Sequence, residues 1–141
     1  MSREVRRVPA SWQHPRDDRG EYRPLLADYR AAQEYRNPHH ECYDSEGVDP
    51  DPADYMPVWP ESEKTHLQMY ETVTEGTPLS PVMDTPEKLA RWLADNNASA
   101  SGHMTATYED WLAMVRRGWA PSGVLTPSGF ISGVEACNAK K

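Results

Sequence analysis

Phenylalanine, cysteine and long apolar runs are scarce in this chain of 141 residues, and each scarcity excludes something. Nothing approaches the roughly 18 consecutive apolar residues that would span a bilayer. The start, Met1 to Arg7, has no apolar stretch behind it to form a signal peptide, so a cytosolic protein is expected. Cys42 and Cys137 lie far apart, which in a reducing compartment favours two free thiols over a bridge. With Phe130 the single phenylalanine, burial has to lean on five tryptophans and seven tyrosines, whose polar tips need partners. Lys and Arg are absent from residues 37–63, a stretch that holds eight acids. Residues 1–36 carry +2, 37–63 carry −8 and 64–141 carry −1, so the net charge of −7 is one acidic block. Such a block repels a nucleic-acid backbone and favours a cationic protein surface.

Reactive constellations are missing as well. His39-His40-Glu41-Cys42 offers three ligand types, but zinc takes four ligands, usually from two separated pairs, and no second pair follows. Asp44 to Asp51 evokes a calcium loop, yet its glycine comes too early, Pro50 stiffens it and no terminal glutamate closes it. Neither Ser128-Gly129 nor Ser132-Gly133 lies in a nucleophile elbow, and no spacing joins a histidine to a carboxylate. No catalytic residue, metal or cofactor is expected.

The pattern along the chain predicts a single α+β domain. Residues 1–23 read as an extended arm, with Val5, Val8 and Trp12 as anchors and Asp17-Asp18-Arg19-Gly20 as a turn. Pro24 at a first helical position and the spacing of Leu25, Leu26, Tyr29, Ala32 and Gln33 predict a helix over 24–36. Residues 38–63 form a long acidic, proline-rich loop whose Tyr55 to Trp59 part should dock. The core is 64–134. It opens with a strand at 66–74, a turn at Glu75-Gly76-Thr77-Pro78 and an edge return limited by Pro81. Two helices follow, one capped by Thr85 with Pro86 at N1, the other by Thr107 with Asp110 in a capping-box position. A hairpin around Thr126-Pro127-Ser128-Gly129 ends the core, and 135–141 reads as a polar tail. The sum is a small antiparallel sheet with two to three helices on one face.

Two kinds of site come out of this pattern. The acids Asp44, Glu46, Asp49, Asp51 and Asp54, with Tyr55, Trp59, Trp12 and Trp119 as aromatic anchors, predict a partner-binding surface. Alternatively, the hydroxyls and backbone N–H groups of Glu75, Gly76, Thr77 and Ser80 would face an anion or nucleotide, although no Lys accompanies them and no helix opens directly behind.

Several motifs resemble a group of small, largely uncharacterised proteins of tailed bacteriophages and prophages. They are Arg6-Arg7-Val8-Pro9 with Trp12, His14 and Pro15; Tyr70-Glu71-Thr72 on through Glu75 to Val82; Leu89 to Asn96; and Tyr108-Glu109-Asp110-Trp111 with Gly118-Trp119-Ala120. The resemblance implies a phage-borne gene expressed in the host bacterial cytoplasm, and carries no activity with it. Some of those proteins have extra paired cysteines in the middle region; Cys42 is alone there, so the resemblance transfers no zinc site. The expected function is that of a non-enzymatic accessory protein, for instance an inhibitor of host defence, that binds a bacterial protein complex through a basic surface. A nucleotide sponge or a minor virion component is the alternative.

Overall fold

The computed structural model describes residues 2–30, 33, 51–72 and 76–139. Its main sheet has four strands in the order β3-β2-β1-β4, formed by Ser2–Val8 (β1), His66–Thr72 (β2), Thr77–Pro78 (β3) and Trp119–Ala120 (β4), all pairs antiparallel. Three helices lying wholly within the described residues accompany it, Pro86–Asp95 (α1), Tyr108–Arg117 (α2) and Gly133–Ala139 (α3), and a separate hairpin joins Gly123–Thr126 (β5) to Gly129–Ser132 (β6). This is the expected α+β arrangement.

The sheet is buried on both faces. Side chains alternate along a strand, so Leu67 and Met69 of β2 share a face with Val5 of β1. They pack with Leu89, Ala90 and Leu93 of α1, Trp111, Met114 and Val115 of α2, and Val134 of α3. The opposite face presents Val8 and Tyr70, covered by Leu25 and Met56 with Trp12, Trp59 and Val82 around them. A strand buried on both sides loses the clean alternation of a half-buried one, which is why parity alone leaves the core face of β2 open.

The helix ends follow their caps. Thr85 accepts from the Lys88 N–H with Pro86 at the first position, and Thr107 and Asp110 close a reciprocal capping box. Gly118 ends α2 in the left-handed region at φ 93°, returning its N–H to the Met114 carbonyl.

Three expectations are corrected. The extended N-terminal segment is more than an arm, since Ser2–Val8 is an inner strand held between β2 and β4. Its Arg3 and Arg6 are buried on opposite faces, and two buried arginines hide a strand in a sequence. Pro24 does not start a helix. The Leu25 N–H donates to the Gly76 carbonyl at 2.9 Å, the Leu26 N–H to Asp54 at 2.7 Å and the Met56 N–H to Leu26 at 2.8 Å, so tertiary partners claim this backbone and helical geometry begins only at Tyr29. The tail is ordered through Ala139 as α3, because Ser132 Oγ accepts the Glu135 N–H at 3.1 Å and Val134 is fully buried.

Candidate functional site

The loop layer over the second face of the sheet is pinned by a polar network centred on Tyr70, a fully buried residue of an inner strand. Trp12 Nε1 donates to the Tyr70 hydroxyl at 3.2 Å, His14 Nδ1 meets it at 2.8 Å, and Gln68 Oε1 lies 3.2 Å away. Gln68 Nε2 donates to the Ser80 carbonyl at 2.8 Å, which fixes the amide with its oxygen toward Tyr70. His14 Nε2 donates to the Arg23 carbonyl, and a carbonyl only accepts, so neutral His14 carries its proton on Nε2. Nδ1 is then an acceptor. One phenol proton has to serve either His14 Nδ1 or Gln68 Oε1, while the phenol oxygen takes the Trp12 N–H. Burial, with Arg6 and Arg16 adding to it, lowers the His14 pKa against the Arg23 hydrogen bond, and burial pushes the Tyr70 hydroxyl up to about 12.

Arg6 completes this layer. Its guanidinium stands 4.2 Å above the Tyr70 ring, with Nε donating to Glu4 at 3.1 Å and Nη1 to the Leu25 carbonyl at 2.8 Å. On the helix side of the sheet Arg3 is buried against Ser99 and sits 3.7 Å from Glu71. Burial depresses the Arg3 pKa and Glu71 opposes that shift.

The predicted partner surface divides. Asp44, Glu46 and Asp49 lie outside the described residues, as do the His39 to Cys42 cluster and the calcium-like loop up to Pro50. Asp51 caps a short 3-10 turn at Pro52–Asp54 by accepting from the Ala53 N–H, and both Asp51 and Asp54 are exposed. Glu61 is neutralised within the chain, 2.6 Å from both Arg7 and Lys64, which hold its carboxyl below the usual range. Asp51, Asp54 and Glu63 form no ion pair with any described residue.

The aromatic anchors divide too. Trp12 and Trp59 are half-buried and stack edge-on at 5.0 Å, with Trp12 bonded to Tyr70, so they are internal anchors of the loop layer. Tyr55 is half-buried against Tyr29. Trp119 remains 47% exposed on the edge strand β4. Four exposed apolar residues were not nominated from the sequence: Leu26 (52%), Val58 (68%), Leu125 (81%) and Phe130 (58%). Of these, Leu125 and Phe130 face each other across the hairpin turn, a position legible in the sequence once the turn is placed.

The alternative ligand turn is structural. Ser80 Oγ is buried, accepting from the Met69 N–H and donating to the Pro81 carbonyl, and Thr77 bonds Glu71. Gly76 backs onto Leu25, where a Cβ would come 2.1 Å from the carbonyl oxygen. Glu75 lies outside the described residues. The hydroxyls of Thr77 and Ser80 are therefore engaged within the fold.

Among the described residues no cluster of three metal-binding side chains occurs, and no helix is long and apolar enough to cross a membrane. Set against family models, curated proteins and solved structures, the chain matches none.

Proposed function

We propose that the protein is a non-enzymatic, phage-borne binding protein that docks on a basic surface of a bacterial protein complex in the host cytoplasm and modulates it, in the manner of a host-defence inhibitor. The observation that carries this reading is the surface around residues 26 and 51–63. There Asp51, Asp54 and Glu63 stand exposed without ion pairs among the described residues, in the same segments as exposed Leu26 and Val58. The backbone beneath is fixed by the Leu26 bonds to Asp54 and Met56, so a partner meets acids and apolar groups already in place. Exposed carboxylates of this kind steer encounter with a cationic surface and lose that effect as salt rises.

Affinity capture from bacterial lysate tests it. The wild-type protein should recover a protein complex at low salt, and the Asp51→Lys, Asp54→Lys double variant should lose it while keeping its thermal transition. Recovery indifferent to the charge reversal, or no protein recovered at low salt, would sink the proposal.

A further inference from the structure

The loop layer also forms an open cavity of about 440 Å³ between β1, the segments at 27–30 and 56–59, and Lys64. That is the scale of a site for a small molecule, and too small for a folded partner. Its walls bring together Arg6, Arg7, Arg30 and Lys64 with the rings of Tyr29 and Trp59. Two acids, Glu4 and Asp28, line it as well, so cations outnumber carboxylates four to two.

These cations are incompletely used. Arg6 is 7% exposed, yet its Nη2 makes no bond to any described residue, the donors in use being Nε and Nη1. Arg30 forms no ion pair with a described residue. Arg7 Nη1 and Lys64 share one carboxylate, that of Glu61, which is 72% exposed and lies outside the cavity's lining, while Arg7 Nη2 donates to the Lys64 carbonyl. The guanidiniums of Arg7 and Arg30 and the ammonium of Lys64, lining one cavity, suit a phosphate, whose oxygens accept from several donors at once. Two aromatic rings in the same walls suit a flat, polarisable ring.

We propose that this cavity binds a nucleoside monophosphate, its phosphate among Arg7, Arg30 and Lys64 and its base against Tyr29 or Trp59. The site is distinct from the turn at 76–80, and it stands whether or not the docking proposal does.

The test is calorimetric titration of the full chain with the four ribonucleoside 5′-monophosphates, with adenosine and inorganic phosphate run in parallel. At least one nucleotide should bind, with adenosine and inorganic phosphate each weaker by roughly tenfold or more, since each lacks half of the contacts. Arg30→Gln, at an exposed position, should weaken binding roughly tenfold, and Glu61→Gln should tighten it severalfold by removing the competing carboxylate. Absence of heat with all four nucleotides overturns the proposal. So does phosphate or adenosine binding as tightly as the nucleotide, or affinity unmoved by both substitutions.

Discussion

Replacing Tyr70 with Phe removes one oxygen from the middle of the loop layer and leaves the ring, with Arg6 still stacked 4.2 Å above it. The hydroxyl can sustain two hydrogen bonds at once here, accepting from Trp12 and donating to either His14 or Gln68. Trp12 is half-buried, so its N–H finds water after the change and the loss there is a net bond, about 0.5–1.5 kcal/mol. His14 and Gln68 are 7% and 5% exposed, so the acceptor that loses the phenol proton stays dry and costs about 1–3 kcal/mol. Together the loss is about 1.5–4.5 kcal/mol, a large share of the stability of a domain this size. Urea unfolding of Tyr70→Phe should show it as a lower midpoint with an unchanged slope. A cycle with His14→Gln should give a coupling of about 0.5 kcal/mol or more. A loss under about 0.5 kcal/mol, or two additive single effects, would refute the view that this hydroxyl pins the layer.

Three further outcomes follow from the same geometry. Gly76→Ala places a Cβ 2.1 Å from the Leu25 carbonyl oxygen at φ 65°, so a loss of about 3 kcal/mol or more is expected, visible as a fall in soluble yield and thermal midpoint. Thr107→Ala opens the α2 capping box and should cost about 1 kcal/mol in the same unfolding assay, with no change in slope. His14 has a lowered folded pKa, so as pH falls below about 6.5 the unfolded chain takes up a proton that the folded chain refuses; stability should drop from there until the folded value is reached, and His14→Gln should remove that component.

What was legible in the sequence was local. Thr85-Pro86-Glu87 and Thr107 with Asp110 fixed two helix starts because a cap is decided within four residues. Ser132 and Glu135 have the spacing of a capping box too, and a reading that gave them weight would have found α3 rather than a tail. Pro24 misled because a proline suits a first helical turn, while the Leu25 and Leu26 N–H groups are claimed by Gly76 and Asp54, partners tens of residues away. Strand β1 was hidden for a related reason, since the cost of burying Arg3 and Arg6 is met by Ser99, Glu71, Leu25 and Tyr70 from remote parts of the chain. The network at Tyr70 joins residues 56 and 58 positions apart, a pairing no local pattern announces. Trp12 and Trp59 were nominated for a partner surface, yet they pack on each other within the chain; whether an aromatic faces a partner or its own chain is decided by topology.

The two faces of the sheet divide the work of folding unequally, and this bears on where recognition belongs. Among the described residues the helix face gathers a cluster of ten fully or nearly fully buried apolar residues from α1, α2 and α3, from strands β2 and β4 and from the loop at Ala100. Among the described residues the loop face has four, and its geometry draws on hydrogen bonds among Trp12, His14, Gln68 and Tyr70 and on the Arg6 contacts. Hydrophobic burial is non-directional and tolerates sliding, whereas hydrogen bonds fail once their angles open. A face held by directional bonds therefore keeps its groups in register at a modest total stability. Elements that bind and release partners are drawn from such regions, with a rigid core elsewhere carrying the fold. Both the exposed acids at 51–63 and the cation-lined cavity lie in the layer that the Tyr70 network positions. Loosening that network should weaken either kind of binding before it unfolds the protein.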